Sequence, residues 1–237
     1  MAMSLPSFDP IRARAADRKG GAAALNALLP PVKTPAELAQ VGDDRWLSAM
    51  TKRIFQAGFH WGVIEKKWPD FETVFDGFEP HRCAMYSDED LDRFVRDKRI
   101  VRNGPKIKTV RENAAFVLEL AKEHGSAARF FATWPLGDYV GLLTVLKKRG
   151  SRLGGNTGQY LLRGMGVDSF ILSRDVTTAL IREGVIDKAP TSQKAMSAVQ
   201  GAFNHWRDET GLPLTHLSRI LAMSVDAPPP GDGMVGL

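Results

Sequence analysis

The sequence predicts an all-α protein. Apolar residues recur at the three- and four-residue intervals of amphipathic helices along most of the chain, and two-residue alternation typical of strands is not convincing anywhere. Capping boxes at Thr34–Glu37 and Ser87–Asp90 mark the beginnings of two of these segments. Proline and glycine separate the segments at the lengths of ordinary helices, without an internal repeat.

Composition narrows the class of protein further. A hydrophobic content of 43% and a charged content of 25% are those of a folded chain. The net charge of +5 favours an anionic partner. Cys83 is the only cysteine, which excludes an intramolecular disulfide and a cysteine-rich zinc site. No apolar run has the length of a membrane span, and the N-terminus lacks the apolar region of a signal peptide. We therefore expect a cytoplasmic protein that does not bind a membrane.

Three segments are predicted in chain order. Residues 1–33 form an N-terminal arm, in which a helix breaks at Gly20–Gly21. Residues 34–224 form the helical domain, and residues 225–237 form a disordered tail. Within the domain, Asp43 or Asp44 is expected to cap the first long helix, and Pro69 to end the next one. Helices are predicted over residues 43–58, 61–68, 87–97, 106–123, 126–134, 136–148, 175–183, 191–210 and 213–224.

A glycine-rich hairpin is the centre of the functional prediction. Gly154, Gly155 and Asn156 permit a tight turn in which the backbone can approach a ligand, and Thr157 then begins a helix. Five Lys or Arg side chains, Arg152 among them, and no acidic residue lie between positions 147 and 167. Exposed amides at the N-terminus of a helix in a basic stretch predict a phosphate-binding site.

Asp175 follows Thr157 at a distance of eighteen residues. A glycine hairpin, a Thr and a small residue opening a helix, and an aspartate at this distance resemble the helix-hairpin-helix DNA glycosylase superfamily. The resemblance implies a two-lobed helical fold, a hairpin motif at about residues 142–163, and Asp175 as the catalytic carboxylate. Asn156 stands where strand-cleaving members carry Lys, which implies a glycosylase without a lyase step. Two alternatives stay open: Asp175 as a simple helix cap, and Asp168 as a rival acid.

One branch of the superfamily, DNA-3-methyladenine glycosylase I, is more specifically similar. The similar pieces, in the order and spacing of that branch, are Gln56–Trp61, Val63–Lys67, Asp90–Val95, Ile100–Ile107 and Leu146–Gly150. The departures are equally specific. The branch holds a structural zinc with two Cys and two His from both termini, and this chain lacks such a set, so no metal is predicted. The branch has a base-recognising Glu five residues before the motif glycine, and here that position is Arg53. Trp61 is retained.

A base pocket and two DNA-binding elements follow from the resemblance. Phe59, His60 and Trp61 are the candidates for stacking on a flipped base, although Phe59 and Trp61 could instead be core residues, and His60 an ordinary histidine. Arg53 would repel a cationic base, so a neutral lesion is as plausible a substrate as a methylated purine. The predicted DNA-binding residues are Arg152, Gly154, Gly155, Asn156 and Thr157 in the hairpin, and Arg102 and Lys106 in a second hairpin. The basic run around the second hairpin could instead be an ordinary solvated face.

The predicted function is that of a monofunctional DNA glycosylase. It would hydrolyse the N-glycosidic bond of a damaged base, with alkylated bases as the leading class, flipped out of duplex DNA during base excision repair. It would act as a monomer without a cofactor. One alternative is a catalytically inactive relative that binds damaged or distorted DNA. A helical interaction module with incidental basic patches is the other.

Overall fold

The computed structural model describes residues 5–226, and this part of the chain contains fourteen α-helices and no strand. The predicted all-α fold is therefore confirmed. No helix among the described residues is long and apolar enough to cross a membrane. Of the predicted disordered tail, residues 227–237 lie outside the described part. The helices are α1 (Asp9–Lys19), α2 (Ala22–Ala27), α3 (Pro35–Ala39), α4 (Asp43–Gln56), α5 (Trp61–Val74), α6 (Pro80–Ala84), α7 (Asp88–Arg96), α8 (Gly104–His124), α9 (Ala127–Thr133), α10 (Tyr139–Arg149), α11 (Asn156–Met165), α12 (Arg174–Arg182), α13 (Gln193–Thr210) and α14 (Leu214–Met223).

The chain divides into two compact units. Unit 1 comprises the described residues within 1–32, 135–140 and 168–237, and unit 2 comprises residues 33–134 and 141–167. Unit 1 therefore combines the N-terminal helices α1 and α2 with α12, α13 and α14. Unit 2 contains α3 to α9, most of α10, and α11.

Unit 1 is built around an aromatic cluster. Phe170 stacks on Phe203 of α13 with ring centroids 4.3 Å apart, and Phe203 meets Trp206 edge-to-face at 5.8 Å. Phe8, just before α1, is fully buried and lies 5.5 Å from the Trp206 ring. The helix predicted in residues 1–33 does break at the glycines, because Gly20 has a φ of +85° and ends α1. Residues of the predicted arm thus contribute directly to the core of unit 1.

Unit 2 is centred on α4 and α8, which pack against each other. The apolar stripe of α4 faces the core of unit 2: Leu47, Met50, Ile54 and Phe55 are all buried. The capping boxes predicted at the starts of α3 and α7 are present with both reciprocal hydrogen bonds. These local signals fix where the helices of unit 2 begin.

Asp43 does not cap its own helix, contrary to prediction. The N-cap position of α4 is Gly42, and no side chain caps this helix. Asp43 Oδ1 instead accepts hydrogen bonds from the backbone N–H groups of Ala127 (3.0 Å) and Ala128 (3.3 Å) at the start of α9. The carboxylate therefore ties two helices that are distant in sequence.

Pro69 does not end α5, and this prediction was also wrong. The helix continues through Pro69 to Val74, although proline removes a backbone donor and normally costs about 3 kcal/mol inside a helix. Aromatic packing beyond the proline offsets that cost. Trp68 stacks on Phe71 at 5.0 Å and on Phe78 at 5.6 Å, and both phenylalanines are fully buried. A further difference is that α13 begins at Gln193 with Ser192 as its cap, rather than at Thr191.

Candidate functional site

The glycine hairpin joins α10 to α11 within unit 2. Arg152 lies in the left-handed region at φ +57°, which is uncommon for a residue with a side chain. Leu153, one residue later, is buried and anchors the turn. Gly158 in the first turn of α11 lies so close to the hairpin that an added Cβ would come within 2.5 Å of the Leu153 carbonyl oxygen. This position therefore requires glycine for close packing.

Asn113 of α8 holds the hairpin in place. Its Nδ2 donates to the carbonyl oxygen of Ser151 at 3.0 Å, and its Oδ1 accepts from the N–H of Ser151 at 2.8 Å. The Asn113 side chain is fully buried, and Ser151 Oγ donates a further hydrogen bond to Glu112. The conformation of the hairpin is thus set by α8 as well as by its own glycines.

The N-terminus of α11 has the geometry of an anion site. Gly155, the N-cap residue, adopts φ +59° and ψ −138°, and no side chain caps this helix. Gly155 and Asn156 are exposed, and Thr157 is half-buried. The amides of the first helical turn have no intrahelical partners, and the helix dipole places partial positive charge there. The predicted hairpin residues therefore come together at one helix end.

Basic side chains flank this helix end. Arg152, Lys147 and Lys148 are exposed, and the stem of Lys147 packs beside Gly154. Arg149 differs, because its guanidinium forms salt bridges with Glu123 at 2.7 Å and Glu119 at 3.3 Å. Of the five basic residues between positions 147 and 167, Arg149 is therefore paired with carboxylates of α8.

The second predicted turn is the capped start of α8. Asn103 Oδ1 accepts from the N–H of Lys106 at 3.1 Å, and Arg102 is exposed. The Lys106 ammonium donates to the carbonyl oxygens of Ala57 at 2.7 Å and Phe55 at 3.2 Å at the end of α4. Burial, together with the positive charge of Arg152, lowers the pKa of Lys106. Lys106 thus closes the end of α4 beside the hairpin, and Arg102 is the freer cation.

The loop between α4 and α5 presents the predicted stacking residues. Gly58 adopts φ +68°, and Phe59 after it leaves 44% of its surface exposed. His60 is exposed at the N-cap position of α5, and Trp61 is half-buried. The interpretation of Phe59 as a core residue is therefore wrong, since a large exposed aromatic side chain lies at this corner.

Arg53 lies against the face of Trp61. Its Cζ is 5.4 Å from the centre of the Trp61 ring, and Nη1 donates to Gln56 Oε1 at 3.0 Å. Tyr160 of α11 meets Trp61 edge-to-face at 6.0 Å. A Cβ on Gly164 would come within 2.6 Å of a terminal nitrogen of Arg53. We call Arg53, Gln56, Trp61, Tyr160 and Gly164 the Arg53 corner.

Three members of the Arg53 corner were missed in the sequence. Tyr160 and Gly164 are four residues apart, so they share one face of α11, and helical periodicity from Thr157 could have found them. Gln56 gave no such signal, because a buried glutamine is recognisable only by its partners. Its Nε2 donates to Glu65 at 2.8 Å, while Glu65 also pairs with Lys52 at 2.6 Å.

Asp175 lies in unit 1, in the first turn of α12. The cap of this helix is Ser173, whose hydroxyl accepts from the N–H of Val176 at 3.2 Å. The interpretation of Asp175 as the helix cap is therefore wrong. Its side chain is half-buried, and no hydrogen bond or ion pair to it is found within residues 5–226.

Asp168, the alternative candidate for the catalytic acid, caps the N-terminus of α14. Its two carboxylate oxygens accept from the N–H groups of Leu214 at 3.0 Å and Thr215 at 2.8 Å, at the start of α14. This arrangement is that of a capping carboxylate. Asp175 is thus the more available of the two acids.

The zinc set of the similar family does not fit this chain. Cys83 is buried in unit 2. Its thiol lies within hydrogen-bonding distance of the Phe75 carbonyl oxygen, at 3.4 Å, and of the Tyr86 hydroxyl, at 3.5 Å. Within the part of the chain that the structure describes, no three His, Cys, Asp or Glu side chains are grouped as metal ligands.

Comparisons with known proteins agree on one family. Residues 38–139 match the methyladenine glycosylase family. DNA-3-methyladenine glycosylase 1 of Escherichia coli (strain K12) is 34% identical over 65 residues, which is 27% of this chain and 35% of that protein. The match thus spans about a third of the relative's length.

Two solved structures of 3-methyladenine DNA glycosylase I are also similar. The Staphylococcus aureus protein, described for its 3-methyladenine recognition, has a TM-score of 0.49 at 22% identity, over 53% of this chain and 77% of that one. A second has a TM-score of 0.47 at 22% identity, over 68% and 90%.

The described residues form an all-α structure in which a glycine-containing turn joins α10 to α11. The predicted resemblance to the DNA-3-methyladenine glycosylase I family is confirmed by the family match and by the curated relative.

Proposed function

We propose that this protein is a monofunctional DNA glycosylase that removes a damaged base from duplex DNA in base excision repair. The observation that carries the proposal is the construction of α11. Its uncapped N-terminus offers amides in a basic hairpin, and its next turns carry Tyr160 and Gly164 of the Arg53 corner. The same helix thus carries a candidate phosphate-binding site at its N-terminus and, one to two turns later, the part of the Arg53 corner where a base could bind.

The hairpin suits the DNA backbone. Amides at a helix N-terminus bind phosphate without reading sequence, and exposed Lys147, Arg152 and Arg102 would add charge attraction. Binding to any duplex should therefore weaken as salt concentration rises. The glycines permit the close approach that a backbone contact needs.

The corner suits an extruded base. Trp61 and Tyr160 offer aromatic surface, and stacking on such rings is worth about 1–3 kcal/mol per base. Phe59, exposed on the adjoining loop, and His60 are available on the same corner. Extrusion of a nucleotide costs a few kcal/mol, which contacts of this kind can offset.

Asp175 would supply the catalytic carboxylate. Cleavage of the N-glycosidic bond develops positive charge on the sugar, which a carboxylate stabilises as in other glycoside hydrolysis. The spacing from Thr157 that is typical of the superfamily supports Asp175. The cap of α12 is Ser173, so Asp175 is not needed for capping. The same carboxylate could align the attacking water. No lyase step is expected, because Asn156 offers no amine.

The test uses two isosteric variants, Asp175→Asn and Asp168→Asn. Base release is measured by chromatography and mass spectrometry from methylated duplexes and from duplexes that contain deaminated bases. Asp175→Asn should lower the release rate at least a hundredfold, equivalent to about 3 kcal/mol, and leave duplex affinity unchanged or slightly tighter. Asp168→Asn keeps only one of the two accepting oxygens, so it should be less stable than the wild type but keep the wild-type rate of base release. Full activity of Asp175→Asn would show that the wrong acid has been named.

The second candidate is a catalytically inactive DNA-binding relative. The observation that favours it is Arg53, whose side chain lies directly on Trp61, where a base could otherwise stack. Salt-dependent duplex binding without release of any base would establish this alternative. A monomeric state and a cytoplasmic location remain part of the proposal, and sedimentation and fractionation would test them.

A further inference from the structure

Arg53 carries a positive charge that the described part of the protein leaves without a carboxylate partner. Arg53 is half-buried, and its guanidinium donates a hydrogen bond of 3.0 Å to the side-chain oxygen of Gln56. The negative charge of Glu65 favours the charged form of Arg53, but Glu65 forms its salt bridge with Lys52. A partly desolvated cation is costly unless hydrogen bonds and opposite charge compensate it, and here Gln56 supplies one hydrogen bond.

The surroundings of Arg53 hold its guanidinium at a defined place. The Trp61 face supports one side, and the missing side chain of Gly164 leaves room for a terminal nitrogen. A guanidinium has five N–H donors in a planar fork. Because Gln56 takes only one of them, the fork keeps N–H groups available for a ligand.

We propose that Arg53 makes this corner selective for a neutral base that presents a carbonyl oxygen and a ring nitrogen as adjacent hydrogen-bond acceptors. A 6-oxopurine such as hypoxanthine has this arrangement, and a guanidinium pairs with it through two parallel N–H bonds. This inference rests on the proposed function, because it names the substrate class of the same site. The corner would correspondingly exclude a cationic N-alkylated purine.

Exclusion of cations follows from charge and from space. A cationic base on the Trp61 face would have to displace a guanidinium that already occupies a cation–π position, or lie beside it. Like charges at such a distance repel, and the repulsion grows as water leaves the site. A neutral acceptor instead gains a charge-assisted hydrogen bond.

The first experiment measures the binding of free bases to the full chain, so it does not depend on catalysis. Calorimetric titrations compare hypoxanthine with a permanently cationic dialkylated adenine. Wild-type protein should bind hypoxanthine at least tenfold tighter than the cation. Arg53→Glu should reverse this preference, and Arg53→Gln, which is neutral and of similar length, should lose the discrimination. Arg93→Gln is the charge-matched control, because Arg93 is exposed on α7 and pairs with Asp90, and it should keep the wild-type preference.

Equal or tighter binding of the cation by wild-type protein, or no binding of hypoxanthine, would overturn the inference. So would an unchanged preference in Arg53→Gln, which decides the matter if Arg53→Glu does not fold. A second experiment measures base release from duplexes that contain hypoxanthine or 7-methylguanine. Retention of the predicted free-base preference without any release would refute the glycosylase proposal and leave the selectivity of the corner standing.

Discussion

Replacement of Asn113 should loosen the hairpin without touching any residue proposed to contact DNA. Asn113 lies on α8, fully buried, and forms a reciprocal pair of hydrogen bonds with the backbone of Ser151. Asn113→Ala removes both partners at once. The N–H and carbonyl groups of Ser151 then have to find water or remain unsatisfied.

The expected magnitude follows from those two bonds. Each is worth about 0.5–1.5 kcal/mol net, and the lost side-chain volume adds to the cost, so the free energy of unfolding should fall by about 2–3 kcal/mol. A hairpin no longer held by α8 samples conformations in which the α11 amides do not face one phosphate. Duplex affinity should therefore drop about tenfold, equivalent to about 1.4 kcal/mol.

Urea unfolding measures the first effect and fluorescence anisotropy with a labelled duplex measures the second. Lys122→Gln, at an exposed position on the same helix, is the control and should leave the unfolding midpoint unchanged. The reasoning would be refuted if Asn113→Ala unfolded at the wild-type midpoint and bound duplex with wild-type affinity.

Three further predictions follow from the same structure. Gly158→Ala should lower stability by about 1–3 kcal/mol in thermal unfolding, because its Cβ would come within 2.5 Å of a backbone oxygen, whereas Gly201→Ala in α13 meets nothing within 4 Å and should gain up to about 1 kcal/mol. Equal effects of the two changes would contradict the packing argument. Burial raises the pKa of Cys83 to about 11, so iodoacetamide at pH 8 should alkylate it only after unfolding; rapid alkylation of the folded protein would count against this. Elemental analysis should find no stoichiometric zinc in the purified protein, and one zinc per chain would show the prediction to be wrong.

Local sequence signals predicted the helical fold well, and the failures came where distant contacts decide. The capping boxes at Thr34 and Ser87 depend on residues three positions apart, so they could be read directly. Pro69 could not be placed, because the stacking of Trp68 on Phe71 and Phe78 outweighs a local rule. Asp43 was misplaced for the same reason, since its partners lie at the start of α9.

The candidate site was predictable where its residues share a motif. The hairpin glycines and Thr157 were found from their spacing, and they do meet at one helix end. Arg53 was singled out by comparison with a family pattern, but its position on Trp61 depends on how α4 and α5 pack against each other. For Lys106 the sequence predicted a DNA contact, because the residue lies in a basic run. Its hydrogen bond to the end of α4 could not be predicted, since the partner is distant in sequence.

The N-terminal segment of unit 1 is fixed by contacts that the described residues show directly. The resemblance implies a zinc that draws ligands from both termini, and here apolar and hydrogen-bonding contacts join the same regions. Trp206 Nε1 donates to the carbonyl oxygen of Pro6 at 2.8 Å, and Glu209 accepts from the N–H of Phe8 at 3.1 Å. Burial of a Phe side chain contributes about 1.5–3 kcal/mol, and Phe8 and Ile11 are both fully buried. These contacts involve a carboxylate, an indole and apolar side chains, and they need no metal ion. The attachment of this segment should therefore be insensitive to chelators, which is the physical reason to expect a folded protein without zinc.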